Sequence, residues 1–160
     1  MSEFRRGVRL GIDVGRARIG VARCDPDGML AVPVETVPRN EHSLMRLREL
    51  IDEYEPIEIV IGLPINLRGD STASTDDAIA FARQVEESVR KPVRMIDERL
   101  STVTAHSALR SSGRSQRGSR SIVDQIAAVV LLQHAIDIEK STGKPAGTLL
   151  EPDEDSRAHD

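Results

Sequence analysis

Three carboxylates stand where a folded chain could bring them to one point. Asp13 lies inside the most hydrophobic early run, between Ile12 and Val14, where a carboxylate is costly unless it is hydrogen-bonded or bound to a cation. Glu98 follows the apolar run VRMI (93–96) in the segment DERLST, with Asp97 before it and Arg99 after. Asp124 sits in SIVDQIAAVV among Ile122, Val123, Ile126 and Ala127. Each has an ordinary structural explanation. Asp13 could cap a turn at Gly15, and Asp97, Glu98 and Asp124 could each favour the start of a helix through its dipole. If residues 97 and 98 continue a strand, their side chains alternate faces and only one shares a site with Asp13. Taken together, three clustered carboxylates repel one another, and some take up protons unless divalent cations neutralise them. Oxygen-only ligation selects Mg²⁺ or Mn²⁺ over Zn²⁺. Two such ions about 3.5–4 Å apart can activate water and stabilise the leaving oxygen in phosphodiester cleavage. His42, His106, His134 and His159 are scattered and Cys24 is alone, so no transition-metal constellation competes.

The charge pattern points to an anionic partner. The net charge is −4, but the last ten residues, EPDEDSRAHD, hold five acids and one base. With them set aside, acids and bases are equal at 21 each. From Arg99 to Val123 there are five arginines (Arg99, Arg110, Arg114, Arg117, Arg120) and no acid. The same stretch could be only a solvated basic loop, but a local positive field on a neutral body suits a nucleic-acid backbone met at one face. Arg16 and Arg18 add to it from the glycine segment DVGRARIG (13–20). Nothing matches a P-loop. Aromatic residues are 2% of the chain, which excludes base stacking on aromatic platforms as the main mode of recognition.

The elements that must position these groups follow from periodicity. VRLGIDV (8–14), RIGVARC (18–24) and MLAVPVETV (29–37) read as strands joined by short turns, DPDG (25–28) being one, and so form an antiparallel meander. Pro33 marks the third strand as an edge or an irregularity. Leu44, Leu47, Leu50 and Ile51 fall at helical spacing over 41–54, ahead of Pro56. IEIVIGL (57–63) is a strand, a loop (64–75) leads to a helix through about residue 90, and VRMI is a further strand. A helix over 101–110, a mobile arginine–glycine–serine loop over 110–121 and a long helix over 121–140 complete the order, with Asp124 in the first turn of that last helix. This order gives an α/β protein in three layers, a mixed sheet covered by helices. Residues 1–150 form one domain of ordinary core size, and 151–160 form a disordered acidic tail. No apolar stretch is long enough for a membrane span and no secretory h-region opens the chain. A single cysteine gives no internal disulfide, so a cytoplasmic protein is expected. Cys24 reads as a small semi-buried hydrophobe, or as the site of an intermolecular disulfide.

Four segments, GIDVGRARIGVA (11–22), IVIGLPINLRG (59–69), DERLST (97–102) and DQIAAVVLLQ (124–133), together resemble the YqgF family. Its members are RNase H-like proteins related to Holliday-junction resolvases and tied to pre-16S rRNA processing. The resemblance runs from about residue 7 to 142, with the motifs in order. It implies a five-stranded RNase H-like sheet with three antiparallel and two parallel strands. It also implies Asp13, Glu98 and Asp124 as catalytic, metal-holding acids, with Arg99, Arg114, Arg117 and Arg120 meeting the nucleic acid. The basic loop here uses arginine, glycine and serine where relatives often have lysine; arginine also binds phosphate.

Three functions are consistent with this pattern. The first is a Mg²⁺-dependent endonuclease, probing structured RNA, that trims the 5′ end of pre-16S rRNA and needs no partner copy. The second is resolution of branched four-way DNA, which requires a homodimer. The third is a non-catalytic nucleic-acid-binding module. A nucleotide-binding ATPase of the actin type, which closes two such domains around its ligand, is excluded by length.

Overall fold

The computed structural model describes residues 4–64, 70, 72–97 and 116–150, the side chains of 116–121 excepted. Its centre is one mixed sheet in the order β3-β2-β1-β4-β5-β6. The strands are β1 (Arg9–Val14), β2 (Arg18–Cys24), β3 (Ala31–Pro38), β4 (Glu58–Leu63), β5 (Val93–Asp97) and β6 (Thr148–Leu149). The first three form the expected antiparallel meander, and β1, β4 and β5 run parallel. The turn between β2 and β3 is built by Asp25, whose carboxylate accepts from the backbone N–H of Asp27, Met29 and Leu30, and closes on Gly28 at φ 63°.

Both expectations for Pro33 are met. β3 is the sheet's edge, and its register slips beside Pro33: Val21 faces Glu35 but Ala22 faces Pro33, leaving Val34 unopposed. A missing N–H is tolerated at such a place.

The helices among the described residues are α1 (Ser43–Tyr54), α2 (Ala73–Val89) and α3 (Gln116–Thr142). α1 and α2 cover one face, burying Leu47, Leu50, Ile51, Phe81, Ala82 and Val85 against Leu10, Ile12, Ile19, Val21, Ile59, Ile61, Val93 and Met95. Thr72 caps α2 reciprocally with Thr75. Among the described residues, α3 is the helix that covers the other face, laying Ala128, Leu131, Leu132, Ala135 and Ile136 on Ala22, Cys24, Val60 and Ile96. Strand alternation therefore splits β1 cleanly: Leu10 and Ile12 face α1 and α2, while Gly11 and Asp13 face α3.

Three expectations are corrected. α3 begins at Gln116, not near Ser121, so Arg117 and Arg120 stand on helix rather than in a loop. Once a long helix is nucleated by its packed half, each further turn costs only propensity, and Gln and Arg are good helix formers. Asp124 is consequently two turns inside α3, beyond the reach of the dipole effect that a first-turn acid would enjoy. The third correction is a sixth strand. After α3 the chain turns through Gly143 and Gly147, both at positive φ, and two residues pair antiparallel with β5. Two exposed residues carry no readable pattern. The helix expected over 101–110, residues 110–115 of the expected loop and the tail 151–160 lie outside the described residues.

Far from Asp13 along β1, five charged side chains whose local sequence gives no sign of it form a partly buried ion lattice, with Arg9, Glu58 and Glu139 buried and Arg5 reaching the surface. Arg5 Nη2 donates to Glu139 Oε1 at 2.7 Å and Glu58 Oε1 at 3.0 Å, Arg9 Nη2 to Glu139 Oε2 at 2.9 Å, and Arg94 Nε to Glu58 Oε2 at 3.0 Å. Burial would push Glu139 up, but the hydrogen bonds from Arg5 and the charge of Arg9 more than reverse this and hold its carboxyl below the ordinary range. The lattice ties β1, β4, β5 and α3 together.

Candidate nuclease site

The site forms where the parallel strands end, which is where open α/β sheets place ligands. Asp13, next to last in β1, pairs across to Gly20 of β2. Gly20 has no side chain for a specific reason: a Cβ there would fall on the backbone carbonyl of Asp124. Two residues back, a Cβ on Gly11 would stand 2.8 Å from Leu132 Cβ and 3.0 Å from the Ala128 carbonyl. Positions 124, 128 and 132 are one helical stripe, so the two glycines form a trough in which α3 lies against the sheet. That trough puts Asp124 over the rung that Asp13 shares with Gly20. Gln125 Nε2 pins the same turn of α3 to Thr36 Oγ1 of β3 at 2.8 Å.

Asp124 is not left to solvent. Arg18 Nε donates to its Oδ2 at 2.8 Å, with side-chain exposures of 36% and 17%. Arg18 thus leans on Asp124, a contact beyond the phosphate role expected of it. Its backbone is fixed by pairing with Pro38 and by the Gly15 N–H, which donates to the Arg18 carbonyl at 2.9 Å.

The turn 15–17 presents Arg16 to solvent at the mouth of a cleft of about 410 Å³, lined also by Arg39 and Asp77. Arg39, just past β3, was not singled out from sequence. Its guanidinium bonds Asp77 through both carboxylate oxygens at 2.9 Å and the Gly15 carbonyl at 2.9 Å, and its N–H reaches the Ala17 carbonyl. The bonds from Arg39, and more weakly the charge of Arg16, hold the Asp77 carboxyl below its usual range against the effect of burial. This brace fixes the turn that joins Asp13 to Arg18. The register that aligns Arg39 with the turn exists only once β2 and β3 pair, so no local pattern announces it.

Of the ten expected site residues, the structure pairs Arg18 with Asp124, sets the Asp124 backbone against Gly20 on the rung of Asp13, and places Arg16 on the turn between β1 and β2. Asp97 ends β5 opposite Leu63; it shares the face of Val93 and Met95, away from Asp13. Glu98, Arg99, Arg110 and Arg114 lie outside the described residues, and for Arg117 and Arg120 the backbone alone is described. Among the described residues no three His, Cys, Asp or Glu side chains gather as a metal site. The two acids present nonetheless fit a hard divalent cation. Their donors are all oxygen, and a cation, the Arg18 guanidinium, already stands against Asp124. Cys24 is wholly buried, its thiol pushed up by burial, so it offers no soft ligand here.

Comparison with known proteins agrees with this geometry. Residues 7–138 match the family model described as "RuvX: Holliday junction resolvase". A protein of Leifsonia xyli is 53% identical over 151 residues, covering 93% of this chain and 97% of its own length. One of Clavibacter michiganensis is 50% identical over 150 residues, covering 92% and 93%; both bear the name "Putative pre-16S rRNA nuclease". Thermus thermophilus RuvC, solved with a Holliday junction substrate, superimposes with TM-score 0.55 at 18% identity, over 87% of this chain and 99% of that one. At that identity the likeness concerns the fold, which is RNase H-like. With a match spanning nearly all of the sheet and α3, and half its residues shared with these relatives, the chain belongs to the RuvX family.

Proposed function

We propose that the chain is a Mg²⁺- or Mn²⁺-dependent endonuclease that cleaves phosphodiester bonds at the 5′ end of pre-16S rRNA in the cytoplasm. The observation that carries this reading is the trough of Gly11 and Gly20, which seats Asp124 over the rung of Asp13. Asp13, Asp124 and Glu98 would hold two ions, which neutralise charge building on the phosphate during water attack. Arg16 and Arg18, with Arg99, Arg110, Arg114, Arg117 and Arg120, would hold the backbone by charge and shape. The relatives' shared name supports RNA as the substrate. Among the described residues no helix is long and apolar enough to cross a membrane.

A second reading, resolution of four-way DNA by a homodimer, is favoured by the description of the matching family and by the RuvC-like fold. End-labelled 16S leader transcript and an immobile four-way junction, each incubated with Mg²⁺, separate the two. Cleavage of the transcript by a monomer supports the first reading, and paired symmetric cuts in the junction by a dimer replace it with the second. Asp13→Asn should slow cleavage by more than about a hundredfold while nucleic-acid binding persists, since even outer-shell partners of metal ligands cost about 10–100-fold. Full activity of Asp13→Asn would remove Asp13 from the site. Binding of both substrates with cleavage of neither would leave a binding module.

A further inference from the structure

Arg18 is the one described basic residue of the site whose observed partner is a candidate metal ligand. We propose that Arg18 is an internal counter-cation: it occupies Asp124 in the ion-free protein, and a divalent ion competes with it for that carboxylate. The inference rests on the reading that Asp13 and Asp124 hold a cation.

Four observations lead to it. Asp124 lies inside α3, where the helix dipole gives a carboxylate nothing, so another positive charge must offset its partial burial. Arg18 supplies that charge through a short bond of 2.8 Å to Oδ2. The contact is held on both sides. On one, Gly20 lets the Asp124 backbone rest on β2; on the other, the Gly15 N–H and the Pro38 pairing fix the Arg18 backbone. Finally, the Arg18 side chain remains about a third exposed, so it can swing into solvent, or towards a phosphate, without unfolding anything. A planar donor and a hard ion cannot both take Oδ2 at full strength, and the two positive charges repel across it. Apparent ion affinity is then the intrinsic affinity reduced by the fraction of protein in which Arg18 holds the acid.

The sign of the effect separates this role from the obvious alternative, in which Arg18 orients Asp124 for the ion. Mn²⁺ alone is titrated calorimetrically into the full chain as wild type, Arg18→Gln, Arg18→Lys and Asp124→Asn, with circular dichroism confirming the fold of each. Arg18→Gln should bind Mn²⁺ about two- to fivefold tighter than wild type, the range expected of a partly exposed ion pair. Arg18→Lys, which keeps the charge but loses the planar donor, should fall between. Equal or weaker binding by Arg18→Gln overturns the proposal and makes Arg18 a positioning residue, while the metal site itself stands. Should Arg18→Gln fail to fold, Arg18→Lys decides alone: tighter binding supports the proposal and unchanged or weaker binding overturns it. Loss of Mn²⁺ binding in Asp124→Asn establishes the site separately. If neither wild type nor the Arg18 variants bind Mn²⁺, both this proposal and the metal reading fall.

Discussion

Gly20 is where fold and site meet, and replacing it with alanine tests both. A Cβ on Gly20 would land on the carbonyl oxygen and carbon of Asp124, far inside van der Waals contact. The obstacle is helix backbone rather than the far end of a side chain, so it cannot rotate away. Relief requires α3 to lift from β2 or β2 to bend, and both are held by Gln125–Thr36 and by the packed stripe of Ala128 and Leu132. Overpacking in a filled core costs typically 1–3 kcal/mol, and a backbone obstacle places this case at about 3. Against it, removing a glycine from the unfolded chain returns about 0.4–1 kcal/mol, because φ at Gly20 is not in the positive region. The net loss is about 2–3 kcal/mol, a fall in Tm of roughly 4–12 °C for a domain of this size.

Gly11→Ala is the internal comparison. Its Cβ would meet Leu132 Cβ at 2.8 Å and the Ala128 carbonyl at 3.0 Å, overlaps with the same helix but several tenths of an ångström shallower, so about 1–2 kcal/mol is expected. Thermal unfolding by circular dichroism should rank wild type above Gly11→Ala and Gly11→Ala above Gly20→Ala. Because the displaced atom belongs to Asp124, Gly20→Ala should also weaken Mn²⁺ binding at temperatures where it is folded. A Gly20→Ala protein melting within about 1 °C of wild type would refute the trough, and with it the placement of Asp124 over Asp13.

The ion lattice predicts acid sensitivity. Glu139 has a depressed folded-state pKa, so its stabilisation is complete above the unfolded value of about 4.3 and fades as pH falls through the lower folded value. Wild type should lose urea resistance below about pH 4.5, whereas Glu139→Gln should be about 3–5 kcal/mol less stable at pH 7 and respond less to acid; parallel pH profiles would exclude the lattice as the cause. Cys24 is fully buried with its thiol pushed up and its Sγ accepting from the Arg9 N–H at 3.3 Å. It should react with a thiol reagent at least about a hundredfold faster in urea than natively, and non-reducing gels should show no dimer; equal rates would contradict its burial.

How much of this was legible in the sequence depended on whether the pattern is local. Period-two and period-3.6 patterning exposed β1 to β5, α1, α2 and the packed half of α3, because burial of one face writes itself into neighbouring residues. Asp13 and Asp124 were legible for the inverse reason, as acids inside apolar runs. What failed was non-local. Arg18 and Asp124 are 106 residues apart, and Arg5 and Glu139 are 134 apart. Neither pairing is written in the residues around its members; it exists only once the sheet and α3 bring the partners together. Arg39 belongs to the same class, visible only in the register of β2 against β3. The amino end of α3 failed differently: arginine, glycine and serine read as loop composition, yet a helix already paid for by its core half extends through them.

That extension changes how the basic residues relate to the acids. In a loop, Arg117 and Arg120 would have no fixed relation to Asp124. On one helix, positions 117, 120 and 124 follow the i, i+3, i+7 spacing of a single stripe. At 1.5 Å of rise per residue they lie about 10 Å and about 6 Å along the axis from Asp124. α3 is meanwhile anchored at Asp124 by the Gly20 contact and at Glu139 by Arg5 and Arg9. Everything amino-terminal to Asp124 therefore projects from a bar whose sheet-bound length is fixed at both ends. The backbone positions of Arg117 and Arg120 are set in register with the acid by the same packing that builds the core. Charge alone could have gathered arginines near an acid; it is the helix that makes their spacing from it a property of the fold.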